Sequence, residues 1–355
     1  MNINEECKSA MTTKSSRLGL VLSGGGAKGA YQVGIIKYLA DMNISIDAIA
    51  GTSIGALNGA VIAAEPNLKI ASTYLQEIWY SIACNSPINI NRLETIAYIG
   101  LTLSSGLVPL LTGTMNPLSA CNLQTLFSEN LGLMEESPIH ELLDRYLNLQ
   151  KLRHGLPLYV SVYRSDGGLN DLFLAILADN NLMNTQSSDF LHIQSLEEIQ
   201  QRNAILASAA LPLLIKAKQI NIEETEYLFS DGGMGGRKNF QGNTPITPLV
   251  SLEKCTHVIV NHLSDGSLWN RHDFPSTTVL EIRPGRAIKR QDKVKDLIDF
   301  NAKNIQSWIE QGYEDAQRCC EGIAASLYGF HIATQAKKQR DEEISKLEQD
   351  NFHID

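Results

Sequence analysis

The sequence predicts an α/β fold: a three-layer α/β/α sandwich around a mostly parallel sheet, followed by a helical C-terminal region. Three observations carry this expectation. Short apolar runs alternate with helix-period segments from the start of the chain, the pattern of a parallel sheet covered on both faces. The first runs end in glycine turns that lead directly into helices. The 355 residues are 43% hydrophobic and 19% charged, an ordinary globular composition with enough apolar material for one large core.

Taken in order, Leu18–Leu22 (Leu-Gly-Leu-Val-Leu), bounded by Gly24-Gly25-Gly26, reads as a first buried strand. Gly29 to Met42 follows with helical spacing, Val33, Ile36, Leu39 and Ala40 forming its apolar face. Asp47–Ala50, with Ile44 and Ile46 upstream, reads as a second strand, and Ile54–Ala64 as a small-residue helix. Between 67 and 155, Trp79, Tyr80, Leu93 and Ile96 suggest helices. Ile96–Leu111 is strongly apolar but interrupted by Gly100, Gly106 and Pro109, too short and broken for a membrane span. It reads as a buried helix pair, with an acyl-chain wall or an interfacial lid as alternatives.

Leu156–Tyr163 is a further strand and Leu196–Ala210 a helix, followed by strands at Glu226–Ser230, Thr256–Asn261 and Thr278–Arg283. Lys293 to about Tyr328 looks helical, and the dense mixed charge of 334–348 predicts a solvated helix. The expected organisation is a flexible leader over 1–16, an α/β domain over 17–285 and a helical region over 286–355.

The net charge of −9 argues against nucleic acid and against adhesion to anionic membrane by charge. Contact with a membrane surface would be apolar, local and transient. Cys7, Cys84, Cys121, Cys255, Cys319 and Cys320 show no metal-type spacing and read as reduced thiols. Met1–Ser16 lacks an apolar core, so the sequence predicts no classical signal peptide and a cytoplasmic protein. Oligomeric state has no signature in the sequence.

Two glycine motifs carry the chemistry. Ser53 lies in Gly51-Thr52-Ser53-Ile54-Gly55, between the second strand and a helix. A serine there is held in a tight elbow, and the flanking glycines remove side chains that would clash. The helix N-terminus favours negative charge beside it. Gly24-Gly25-Gly26-Ala27-Lys28-Gly29 also fits the dinucleotide pattern G-x-G-x-x-G after a strand, with Asp47 near the distance of a ribose-binding acid. A nucleotide-binding protein is therefore an alternative. Against it, Asp47 begins its strand rather than ending it. The other reading makes this loop an oxyanion hole, its backbone N–H groups aimed at one point and Lys28 adding positive charge.

A serine needs a base. His262, just after the strand Thr256–Asn261, is the best-placed histidine for a triad. A carboxylate is the other route, and Asp-Gly-Gly occurs twice after strands, at Asp231-Gly232-Gly233 and at Asp166-Gly167-Gly168. The tripeptide alone does not choose between them.

Gly24–Gly29, Gly51–Gly55 and Asp231–Gly233 resemble, in order and context, the three signature blocks of patatin-like phospholipases. Ala207–Pro212 resembles the helix end before the family's catalytic aspartate, and Asn243-Thr244-Pro245 with Pro248 the segment after it; these flanks select Asp231 over Asp166. The resemblance covers roughly residues 17 to 265. It implies a Ser53–Asp231 dyad without histidine, an oxyanion hole in the glycine loop, and no metal or organic cofactor. The implied activity is hydrolysis of phospholipid or lysophospholipid acyl esters through an acyl-serine, an acyltransferase being the variant with another acceptor. In one departure, Lys28 stands where the family usually has arginine, keeping charge but losing the forked geometry. In the other, no family motif matches beyond about residue 265.

Overall fold

The computed structural model describes residues 16–84, 136–165, 185–211, 215–236, 241–264, 269–285, 300–320, 333–342 and 344. The elements are β1 (Leu18–Leu22), α1 (Ala30–Asp41), β2 (Ala48–Thr52), α2 (Ile54–Ala64), α3 (Leu68–Cys84), α4 (Ser137–Tyr146) and α5 (Leu149–Arg153). They continue with β3 (Leu158–Arg164), β4 (Asp189–His192), α6 (Glu198–Ser208), β5 (Lys218–Ile222), β6 (Thr225–Asp231), α7 (Thr247–Ser251), β7 (His257–Asn261), β8 (Thr278–Ile282) and α8 (Ala302–Cys320). Residues 1–15 of the expected leader and the 96–111 segment lie outside the described residues, as do Asp166, Cys7 and Cys121.

The described strands form one sheet in the order β5-β6-β3-β2-β1-β7-β8, with β4 also paired to β3. Its centre is parallel: β1 pairs with β2 and β7, β2 with β3, and β7 with β8. The β3 side is completed antiparallel by β4, β6 and β5. This is the mostly parallel α/β sheet that the alternation of elements predicts.

Successive strand residues face opposite sides, and the core divides accordingly. Leu18, Leu20 and Leu22, with Ile49 and Ile259, join the larger core under α1, α2, α3, α6 and α8. Val21, Ala48, Ala50, Val258 and Val260 meet α7 residue Leu249 and Trp269 on the other face. The layers are unequal, because among the described residues the second face is covered by a short helix and a loop.

The helical C-terminal region contributes α8, which buries Ile305, Ile309 and Ala316 in the larger core. It crosses α1 so closely that a Cβ on Gly34 would lie 1.9 Å from the Ile309 carbonyl oxygen, and one on Gly312 would lie 1.9 Å from that of Tyr31. Asp315 ties this crossing, accepting from Tyr31 OH (3.1 Å) and the Gly285 N–H (2.8 Å). Residues 333–342 are helical and largely exposed, as their mixed charge predicts. Burial pushes the Cys255 thiol up to about 12 and the Cys320 thiol up to about 11. Both are free thiols, as are Cys84 and Cys319. Among the described residues, no helix is long and apolar enough to cross a membrane.

Candidate active site

β2 ends at Thr52 and α2 begins at Ile54, so Ser53 must turn the chain within one residue. It does so at φ 55° and ψ −125°, positive φ on a residue that carries a Cβ. Such a conformation costs about 1–3 kcal/mol and persists where its surroundings hold it. Those surroundings are explicit. The Ser53 carbonyl accepts the N–H groups of Ala56 (2.9 Å) and Leu57 (3.3 Å). The Ser53 N–H donates to Ser208 Oγ (2.9 Å), which donates to the Ser161 carbonyl (2.6 Å). The chain at Gly55 passes so near β1 that a Cβ there would sit 2.1 Å from the Leu22 carbonyl oxygen. Ser53 itself is 6% exposed.

Asp231 is the last residue of β6 and is 2% exposed. Its Oδ1 accepts the Gly233 N–H (2.8 Å), and its own N–H donates to the Ala210 carbonyl (3.0 Å). β3 joins the two residues by register: Thr52 lies opposite Ser161, and Asp231 opposite the next residue, Val162. Ser53 and Asp231 thus leave neighbouring strand ends over one short stretch of β3. Asn243 bridges the same space. A Cβ on Gly24 would lie 2.7 Å from Asn243 Oδ1 and 3.1 Å from Ser53 Cβ, and one on Gly233 would lie 3.1 Å from that Asn243 oxygen and 3.0 Å from Asp231 Oδ1. Gly232 packs on the Ser161 carbonyl, and its own carbonyl accepts from Ser188 Oγ (2.6 Å).

The glycine loop follows β1 and enters α1 through a 3-10 turn over Gly26–Gly29. The Gly24 N–H is turned to the Asn243 carbonyl (3.4 Å) and the Lys28 N–H to the Gly25 carbonyl (3.3 Å). Gly26 and Ala27 open the turn, where N–H groups have no partner inside the helix. The N-termini of α1 and α2 both begin beside this loop, adding their positive ends.

A buried amide chain that sequence reasoning missed holds the loop at both ends. Trp79 Nε1 donates to Asn58 Oδ1 (3.1 Å). Asn58 Nδ2 donates to Gln32 Oε1 (2.8 Å) and the Gly29 carbonyl (3.2 Å), and Gln32 Nε2 to the Ser23 carbonyl (2.8 Å). Ser23 Oγ pairs with Thr244 Oγ1 (3.0 Å). Asn58→Leu should take the Asn58 partner from Gln32 Oε1 and Trp79 Nε1 in the core and cost about 2 kcal/mol. Chemical denaturation measures this, and an unchanged midpoint would refute the role of the chain. Ser208 and Asn243 entered the sequence reading only inside the flanking stretches; their contacts give each a task.

His262 is not brought to Ser53. It follows the end of β7, with β1 between that strand and β2. Its Nε2 pairs with Glu281 Oε2 of β8 (2.9 Å), and its ring meets Trp269 edge-on at 5.5 Å. Burial pushes the Glu281 carboxyl up, but hydrogen bonds from His262 and Arg283 outweigh it and hold the group below the usual carboxylate range. Asp47 is likewise elsewhere: its Oδ2 accepts the Leu18 N–H (2.7 Å) at the end of the sheet remote from the glycine loop. Among the described residues, no group of three or more His, Cys, Asp or Glu side chains could hold a metal ion.

Comparisons with known proteins bear on this arrangement. The family model described as patatin-like phospholipase matches residues 20–250. A lysophospholipase, nte1, of Aspergillus terreus (strain NIH 2624 / FGSC A1156) is 57% identical over 51 residues, 14% of this chain and 3% of that protein. Patatin-like phospholipase domain-containing protein 7 of Rattus norvegicus is 56% identical over 48 residues, 14% of this chain and 4% of its own length. The chain thus matches only a few per cent of the length of these curated relatives. Among solved structures, VipD from Legionella pneumophila aligns over 95% of this chain and 77% of its own, at 13% identity and a TM-score of 0.42.

Proposed function

The chain belongs to the patatin-like phospholipase family, and from that premise we propose that it is a serine lipid acyl hydrolase acting on phospholipids or lysophospholipids. The observation that carries this reading is the strained Ser53 turn set beside Asp231 across β3. In the mechanism, the Asp231 carboxylate takes the Ser53 hydroxyl proton as Oγ attacks the acyl carbonyl carbon. The oxyanion forms at the glycine loop. With the N–H groups of Gly24 and Lys28 turned to carbonyls, those of Gly25, Gly26 and Ala27 are the donors assigned to it. Gly24, Lys28 and Gly29 shape the loop, while Gly51, Gly55, Gly232 and Gly233 keep the elbow and the aspartate turn free of side chains.

Collapse of the tetrahedral intermediate breaks the ester C–O bond, and Asp231 returns its proton to the departing alcohol. Water then attacks the acyl-serine, giving its proton to Asp231, and fatty acid leaves as Ser53 recovers its hydrogen. An acyltransferase would differ only in the alcohol that replaces water. The reading is tested by incubating the protein with mixed phospholipids and lysophospholipids and measuring released fatty acid by mass spectrometry. Release that disappears in Ser53→Ala is the expected result; no release from the unaltered protein, with Ser53 also unlabelled by a fluorophosphonate, would overturn it.

A further inference from the structure

Ser53 and Asp231 are fastened to one short stretch of chain at the end of α6. The Ser53 N–H donates to Ser208 Oγ (2.9 Å), and two residues further on the Ala210 carbonyl accepts the Asp231 N–H (3.0 Å). Ser208 is the last residue of α6, and Ala207, Ser208 and Ala210 are fully buried. The turn that leaves the helix is closed by its own backbone. The Ala209 N–H donates to the Leu206 carbonyl (3.1 Å) and the Ala210 N–H to the Ala207 carbonyl (3.0 Å). With Ala204, Ile205 and Leu206 packed in the larger core, this stretch has little freedom to move.

Ser208 differs from the alanines around it by its hydroxyl, and the direction of that hydroxyl is fixed. Its one hydrogen goes to the Ser161 carbonyl (2.6 Å), so the oxygen's lone pairs are left to take the Ser53 N–H. That N–H precedes the first turn of α2, where the helix supplies no acceptor. The same Ser161 carbonyl lies under the aspartate turn: a Cβ on Gly232 would sit 2.3 Å from its oxygen. Ser208 therefore touches the supports of both residues, the elbow directly and the Asp231 turn through Ser161.

We propose that Ser208 is a positioning residue which, with Ala210, sets the spacing between the Ser53 hydroxyl and the Asp231 carboxylate across which the proton moves. This rests on the reading of Ser53 as nucleophile and Asp231 as base. A base acts within about 2.6–3.2 Å of the proton's donor, and a misplacement of about 1 Å costs about 10²-fold. Ser53 holds a strained turn at φ 55°, which relaxes when its N–H is released and carries Oγ with it.

The test is a double-mutant cycle on hydrolysis of p-nitrophenyl butyrate, with folding checked by circular dichroism. Ser208→Ala should lower kcat about 10- to 100-fold with KM little changed. In an Asp231→Asn background no base remains for Ser53 to be aligned with, and the same substitution should cost less than about twofold. An equal loss in both backgrounds, a loss confined to KM, or full activity in a folded Ser208→Ala would overturn the positioning role while leaving the hydrolase reading standing. If Ser208→Ala does not fold, Ser208→Cys, whose weakly bonding thiol occupies the same place, is carried through the same two backgrounds and judged by the same outcomes. No cleavage by the unaltered protein, with Ser53 unlabelled by a fluorophosphonate, brings down the hydrolase reading and the positioning role with it.

Discussion

Asp231→Asn should slow ester turnover by about 10²–10⁴-fold, the contribution of a positioned general base, without unfolding the protein. The substitution preserves size and keeps an oxygen to accept the Gly233 N–H that Asp231 Oδ1 now holds. The bond from the Asp231 N–H to Ala210 belongs to the backbone and is unaffected. What disappears is the capacity to take a proton from Ser53. Ser53→Ala should go further, because no nucleophile remains and only binding and the loop N–H groups are left to act. His262→Gln is the informative control. Its ring is engaged by Glu281 on the far side of β7 from β2, so the variant should lose stability before it loses catalysis. Steady-state hydrolysis with circular dichroism on each variant checks this. An active Asp231→Asn beside a dead, folded His262→Gln would transfer the proton to histidine.

Gly312→Ala should destabilise the protein even though alanine is the better helix former. The propensity gain is about 1 kcal/mol. Against it stands a Cβ placed 1.9 Å from the Tyr31 carbonyl oxygen, with the Tyr31 carbonyl carbon at 2.9 Å. These are backbone atoms of a buried helix and do not rotate away, so the overpacking cost belongs at the upper end of its range, about 3 kcal/mol. The clash wins by about 2 kcal/mol. Relief would require α8 to move off α1, loosening the Tyr31–Asp315 and Tyr313–Asp41 hydrogen bonds and the edge-on contact of Tyr38 with Tyr313. Because α1 begins where the glycine loop ends, the variant should also lose activity. Urea denaturation measures the first effect and ester hydrolysis the second; an equal or higher midpoint would refute the tight crossing.

Much of the fold was legible because the information is local. The β1–α1–β2–α2 order follows from apolar runs and glycine turns, and α2 falls at Ile54–Ala64 as the sequence predicts. β2 is shifted, running from Ala48 to Thr52 rather than starting at Asp47, because its pairing partners in β1 and β3 set its ends. β5 and β4 were not anticipated. β5 alternates polar and apolar residues at the sheet edge before a turn whose Glu223 and Glu224 both have positive φ, without the glycine that marks such turns. β4 is only four residues long and is strand by virtue of lying against β3.

By itself, then, the sequence determined the α/β alternation, the family resemblance and the elbow at Ser53, since each is written in a few neighbouring residues. Only the tertiary structure decided what surrounds that serine. The register of β3 sets Thr52 opposite Ser161 and Asp231 opposite Val162, Glu281 holds His262 away, and Asn58 ties Trp79 to the glycine loop. Those relations join residues far apart in the chain, and their energies exist only once the strands pair and the helices pack. No local pattern encodes them.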